Sequence, residues 1–129
     1  MVEALRRMFW SSPYTAVIEE VRAFQTLPAG WNSHRAPRVT EGAVKAALEI
    51  LYAADRRHAP VPSAAPTSLG GVALSWEIGE IEAQLLIDEE SIEYSVARRG
   101  SPKVMDQGSF VHTDEVEKHF IERYLISRR

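Results

Sequence analysis

The strongest constraint in this 129-residue chain is an alternation of apolar and polar residues between positions 72 and 97. Apolar residues recur at every second position in three successive segments, which are separated by residues 79–80 and 88–90. A period of two predicts strands with one buried and one wet face. The two-residue turn begins with Gly79, as a type II′ hairpin requires. The pattern therefore predicts a three-stranded antiparallel meander over residues 72–97.

The wet face of this meander is acidic. Alternation places Glu77, Glu82 and Glu93 on it, and residues 72–95 contain seven acidic side chains and no Lys or Arg. A catalytic carboxylic acid needs a pKa raised by burial or by a close like charge, which solvent-facing glutamates lack. We therefore expect these glutamates to favour solubility and to discourage stacking of sheets.

Three helical segments flank the meander. The first begins after Ser12-Pro13, the second begins after Thr40, and the third occupies residues 113–127. Ser and Thr are common N-caps, and Pro is common in the first helical turn. Each segment carries apolar residues at spacings of three and four, which predicts a helix with one buried stripe.

The segments between these elements are predicted from proline, glycine and polarity. Residues 58–71 contain three prolines between positions 60 and 66, which predicts an extended connector without helix. Residues 98–106 are polar and contain Gly and Pro, which predicts a loop, and residues 109–112 predict a short additional strand.

Together these elements predict an α+β fold in a single domain over residues 1–129. Its parts are a helical region (12–57), a Pro/Gly connector (58–71), the β-meander (72–97) and a C-terminal helix (113–127). Three strands bury their apolar face only against another layer, and helices are the obvious cover. We expect a three-stranded sheet, or a four-stranded one with the short additional strand, and about three helices packed on one face.

Composition excludes several kinds of chemistry. The chain has no cysteine, which removes disulfides, thiol catalysis and thiolate metal sites. Its four histidines have no metal-ligand spacing, and there is no glycine-rich phosphate loop, so we predict no metal site, no cofactor and no catalytic residue. We expect a protein that is not an enzyme.

Hydropathy and charge limit where the protein can be located and which kinds of partner it can bind. No apolar run approaches the length of a membrane span, and residues 1–10 lack the apolar core of a signal peptide. We therefore expect a cytoplasmic protein without a membrane partner. The net charge of −3 and the acidic meander disfavour nucleic acid as a partner, because a phosphate backbone needs a contiguous basic face.

One loop stands out as a candidate binding site. It holds Trp31, Asn32, His34 and Arg35 between a glycine and a proline. Trp and Arg are favoured at interface hot spots, so these residues and the aromatic Trp10 near the N-terminus are candidate partner contacts. The structural alternative is that Trp31 closes the end of the core, with its indole N–H bonded to a backbone carbonyl, and that Asn32 or Ser33 makes a local turn.

Some of these residues resemble a known group. The segment from Leu27 to Asn32, a proline-rich connector, Pro66-Thr67, Gly70-Gly71 and Leu74-x-Trp76 follow one another in this order. This pattern, LPxGW(D/N)…PTxxGGxxLxW, is similar to that of a broad group of small bacterial proteins. The resemblance implies a shared scaffold and no particular activity. Asn32 stands where Asp is usual in the group, and residues 33–35 replace a glycine-containing stretch.

These observations favour a small non-catalytic bacterial protein that binds another protein as an accessory, adaptor, antitoxin-like or immunity-like subunit. Self-association as a homodimer, through a sheet edge or the terminal helices, is a variant of this hypothesis. Two alternatives stay open: a ligand-binding domain or enzyme whose pocket is walled by the Trp31–Arg35 loop, and nucleic-acid binding through clustered arginines.

Overall fold

The computed structural model describes residues 12–32 and 36–126, which form an α+β structure. Five antiparallel strands make one sheet in chain order: β1 (Ser63–Pro66), β2 (Val72–Ile78), β3 (Ile81–Ile87), β4 (Ile92–Arg98) and β5 (Val104–Phe110). The helices are α1 (Thr15–Ala23, followed by a 3₁₀ turn at Phe24–Thr26), α2 (Glu41–Arg56) and α3 (Thr113–Val116, continuing as the π-helix Glu117–Ile126). All three lie against the same face of the sheet.

The meander predicted from alternation is confirmed as β2, β3 and β4. In the first hairpin Ile78 pairs with Ile81, and Gly79 has a φ of 58°. Glu80 is not among the residues with positive φ, so the turn has the backbone signature of type II′. Glu77, Glu82 and Glu93 are exposed, and Trp76 is buried in the core, as the alternation predicts.

The predicted number of strands is wrong, because the sheet has five strands and not three or four. The connector predicted over residues 58–71 contains β1, which pairs with β2 from Ser63 opposite Ser75 to Pro66 opposite Val72. The loop predicted over residues 98–106 overlaps the beginning of β5, and the short strand predicted over 109–112 overlaps its end. Both missed strands lie at the edges of the sheet.

The apolar stripe predicted for the first helix is buried in the structure. Val17, Ile18, Val21 and Phe24 of the first helical region are buried. In α2 the Thr40 hydroxyl accepts a hydrogen bond from the amide of Ala43 at 3.1 Å, which confirms Thr40 as the N-cap. Helix α1 starts at Thr15, later than the predicted Ser12-Pro13 start.

Hydrogen bonds fix the start of α1 and the connector to the rest of the fold. The Ser12 hydroxyl accepts from the amide of Tyr14 and donates to Asp55 near the end of α2 at 2.7 Å. The hydroxyl of the buried Tyr14 lies 2.6 Å from the carbonyl oxygen of Pro60, and the Trp76 indole donates to the same oxygen at 2.8 Å. Two buried side chains, those of Tyr14 and Trp76, thus bond the proline-rich connector to the core at a single carbonyl oxygen.

After its first turn, helix α3 changes from α-helical to the wider π-helical geometry. Buried residues recur in it at Val116, at the adjacent pair Phe120 and Ile121, and at Leu125. Intervals of four and five residues fit a helix with i→i+5 hydrogen bonds. The ring of Phe120 lies 5.7 Å from that of Trp76, so the widened helix packs its aromatic residue on the centre of the sheet.

Close approach at Gly71 gives a stability prediction. A Cβ added there would lie 2.4 Å from the backbone oxygen of Ile87, whereas one added at Gly42 in α2 would meet the flexible side chain of Glu89 at 2.7 Å. We expect Gly71→Ala to lower the free energy of unfolding by about 1–3 kcal/mol, because backbone must move. Gly42→Ala should leave it unchanged or raise it by up to about 1 kcal/mol, because Ala favours the helix.

Urea denaturation of both variants, read by circular dichroism, measures this difference. Equal stabilities of the two variants would contradict the close approach at Gly71.

Candidate interaction surface

We call the sheet face opposite the three described helices the open face. Its central row runs across all five strands, and the register brings its members side by side: Ser63, Ser75, Gln84, Ser95 and Gln107. Each of these side chains is neutral and can both donate and accept hydrogen bonds. The centre of the open face is therefore polar without being charged.

The charges of the open face lie at its two ends. Glu77 and Glu82 oppose each other at one end, and Glu93 opposes Leu86 at the other. Arg99 lies 3.6 Å from Glu77, but both side chains are largely exposed, so this ion pair contributes little stability. Among the strand positions on the open face there is no Lys or Arg, but Arg98 and Arg99 at the end of β4 border the end that holds Glu82.

A shallow depression of about 540 Å³ lies at the β5 side of the open face. Leu86 and Ser95 line one side of it, and Gln107, Gly108 and Ser109 line the other. Leu86 is 38% exposed, and it occupies a position whose neighbours in β3, Glu82 and Gln84, are polar. The depression is also lined by Glu93, so it combines an apolar side chain, one carboxylate and neutral hydrogen-bonding groups.

Strand β5 borders this depression and ends the sheet. In a two-residue hairpin the closing pair Ile78 and Ile81 exchanges hydrogen bonds, and the bonding direction then alternates along each strand. Followed through the register, the alternation directs the amides and carbonyls of Asp106, Gly108 and Phe110 toward β4. Those of Gln107 and Ser109 point away from the sheet, to the outer edge.

A cluster of two tyrosines and one aspartate holds β5 against α3. The hydroxyl of Tyr94 lies 3.4 Å from a carboxylate oxygen of Asp106, and the hydroxyl of Tyr124 donates a short hydrogen bond to the same carboxylate. Gly108 lies opposite Tyr94, and a Cβ there would come within 2.7 Å of the Tyr94 ring. The missing side chain lets the ring lie across β5 and stack on Phe110 at 4.9 Å.

The protonation of these phenols indicates what the cluster does. Burial, followed by the hydrogen bond to Asp106 and its charge, raises the pKa of Tyr124 to about 12. The pKa of Tyr94 is also raised, by burial and then by the charge of Asp106. A tyrosine that acts as a base or nucleophile needs a lower pKa, not a higher one. The cluster keeps both phenols protonated as hydrogen-bond donors, which suits a structural contact.

The described residues on either side of positions 33–35 in the candidate loop are joined by hydrogen bonds. The Gly30 amide donates to the carbonyl of Ala36 at 2.7 Å, and the Asn32 side chain accepts from the Ala36 amide at 3.3 Å. The Asn32 side chain therefore bonds to the backbone four residues further along the chain. Trp31 is half-buried, and its indole N–H has no hydrogen-bond partner within residues 12–32 and 36–126, so the expected bond to a backbone carbonyl is not found there.

Trp31 and Asn32 are not among the residues that line the depression beside β5. The chain after the loop bonds to the β1–β2 turn, where the Thr40 amide donates to the Gly70 carbonyl at 2.9 Å, near the edge of the sheet farthest from β5. Three other predicted contacts, Trp10, His34 and Arg35, lie outside the described residues. The sequence analysis did not identify the part of the open face beside β5 as a candidate site. One feature of the sequence indicated it: Leu86 occupies a position where alternation requires a polar residue.

Comparison with known proteins gives no relative. No protein-family model, no curated protein and no solved structure matches this chain. Over the described residues, no helix is long and apolar enough to cross a membrane. The same residues contain no group of three or more His, Asp or Glu side chains placed to hold a metal ion.

The raised tyrosine pKa values predict how stability depends on pH. The pKa values of Tyr14 and Tyr124 rise from the ordinary 10.0 to about 12. Above pH 10 the unfolded chain loses these phenolic protons while the folded chain keeps them. The stabilisation is therefore complete below pH 10, and the free energy of unfolding falls as the pH rises toward 12.

Urea denaturation at a series of alkaline pH values measures this slope. Tyr124→Phe should make the slope shallower and should cost about 1 kcal/mol at neutral pH through the lost hydrogen bond. Tyr14→Phe should remove the other contribution. A Tyr124→Phe variant with the full slope of the unsubstituted protein would contradict the assignment.

Proposed function

We propose that this protein is a non-catalytic interaction module that binds another protein through the open face of its sheet. The observation that carries the proposal is the layout of that face, with a neutral centre and charges at its ends. Protein interfaces have the same layout, with charged residues depleted at the centre and a polar rim.

Leu86 supplies an apolar contact beside this centre, in the row that also holds Glu93. It is 38% exposed beside the depression and next to Ser95 and Gln107. The hydroxyl and amide groups of the central row can satisfy polar groups of a partner, so that few buried polar atoms are left unpaired. Small side chains at Ala73, Ser75 and Ser95 allow a partner to approach the backbone closely.

The rim predicts the chemistry of the partner. Glu77, Glu82 and Glu93 would meet basic residues at the margins of a bound surface, which speeds association and selects against acidic proteins. A second copy placed on the face would offer no Lys or Arg from its strand positions, and its Arg99 already pairs with its own Glu77. The partner we propose is therefore a different protein, neutral at its centre and basic at its periphery.

A pair of matched glutamine substitutions tests the proposal. Gln84 is exposed in the centre of the open face, and Gln25 is exposed on the helical side of the molecule. The chain, immobilised without substitution or with Gln84→Arg or Gln25→Arg, is exposed to extract of the native cell. We expect the unsubstituted chain and Gln25→Arg to retain one stoichiometric protein, and Gln84→Arg to bind it at least about tenfold more weakly.

A photo-cross-linking residue at Ser95 then checks that the retained protein contacts this face. Retention of the same protein by all three chains, without cross-linking from position 95, would contradict binding at the open face. Circular dichroism of each variant confirms that the substitution leaves the fold intact.

A further inference from the structure

Strand β5 leaves hydrogen-bonding groups exposed at the edge of the sheet. The other edge strand, β1, is four residues long and ends at Pro66, which has no amide hydrogen. Strand β5 is seven residues long and contains no Pro, Lys or Arg. Its register with β4 shifts at Met105, but from Asp106 to Phe110 the pairing is regular and directs the amides and carbonyls of Gln107 and Ser109 outward. Such an edge is a template for pairing with another strand.

The only charged side chain on β5 does not block this edge. An inward-pointing charge on an edge strand often prevents pairing. Asp106 points inward, but its carboxylate accepts hydrogen bonds from the hydroxyls of Tyr94 and Tyr124. The charge is thus satisfied within the fold, and the outer edge of β5 is neutral.

The sequence of β5 is symmetric about Gly108 in the features that pairing uses. Gln107 and Ser109 flank the glycine, and two exposed apolar residues lie three positions away on either side. Met105, 53% exposed, lies at the register shift, and Val111, 70% exposed, directly follows β5 and donates its amide to Glu115. An antiparallel strand centred on Gly108 places Gln107 opposite Ser109 and Met105 opposite Val111. A second copy of β5 supplies both pairings.

We propose that two copies of this chain associate through β5, antiparallel and centred on Gly108. The outward groups of Gln107 in one copy bond to those of Ser109 in the other, and the symmetry repeats this pair. The two glycines form the closely spaced, non-hydrogen-bonded pair at the centre, where the absence of side chains permits approach. Met105 of each copy covers Val111 of the other.

The pairing joins the two five-stranded sheets into one sheet of ten strands. Because paired residues point to the same side of a sheet, the open faces of both copies lie on one side and the helices on the other. The contact is small, so the dimer should form reversibly with rising concentration. The dimer uses the edge of β5 and not the open face. The proposal therefore does not depend on whether the open face binds another protein.

Two substitutions at Ser109 test the pairing with the purified chain alone. Ser109→Pro removes an outward amide hydrogen and adds bulk at the edge, a position at which an edge strand tolerates proline. Ser109→Ala keeps the amide and serves as the matched control. Sedimentation over a concentration series should show dimerisation of the unsubstituted chain and of Ser109→Ala, and a rise of about tenfold to a hundredfold in the dimer Kd for Ser109→Pro.

A charge pair tests the register. Met105→Glu and Val111→Lys should each weaken self-association, and an equimolar mixture of the two variants should form a heterodimer, because the new charges meet only across the proposed interface. A chain that stays monomeric at all concentrations would overturn the proposal. Dimers of Ser109→Pro as tight as those of Ser109→Ala, or a mixture that associates no better than either variant, would also overturn it.

Discussion

The buried ring of Phe120 is the contact on which the described arrangement of sheet and C-terminal helix depends. It lies 5.7 Å from Trp76 on β2, 5.9 Å from Tyr94 on β4 and 6.0 Å from Tyr124 on its own helix. Aromatic pairs at these separations contribute beyond the burial of their area. Through Tyr94 and Tyr124 the same contact reaches Asp106, so the position of β5 depends on a ring that β5 does not itself contain.

The sequence predicted the parts of the fold whose stability comes from their own side chains. Strands β2 to β4 alternate because each has one buried face, and α2 begins at Thr40 because that hydroxyl caps it. In each case the residues that form the element also carry its signal. The α+β class follows from these elements, because a meander with one apolar face needs a helical layer.

The two edge strands could not be predicted in the same way, because each is held by one neighbour. Strand β1 consists of Ser, Ala and Pro, residues that favour strands weakly or not at all, and its pairing comes from the backbone of β2. Strand β5 contains Gly108, an inward Asp106 and a register shift opposite Val96 and Ala97, which together remove the alternation. The candidate surface was missed for the same reason, since it borders β5, whereas the glutamates on the regular strands were placed correctly.

The cluster at Asp106 also determines which elements unfold together. Strand β5 and helix α3 are consecutive in the chain, and the carboxylate of the strand accepts from a tyrosine of the helix. Neither element can leave the sheet without exposing that carboxylate and breaking the bond to Tyr124. The last strand and the last helix therefore form one cooperative unit, and their amide protons exchange with solvent in a shared local unfolding event.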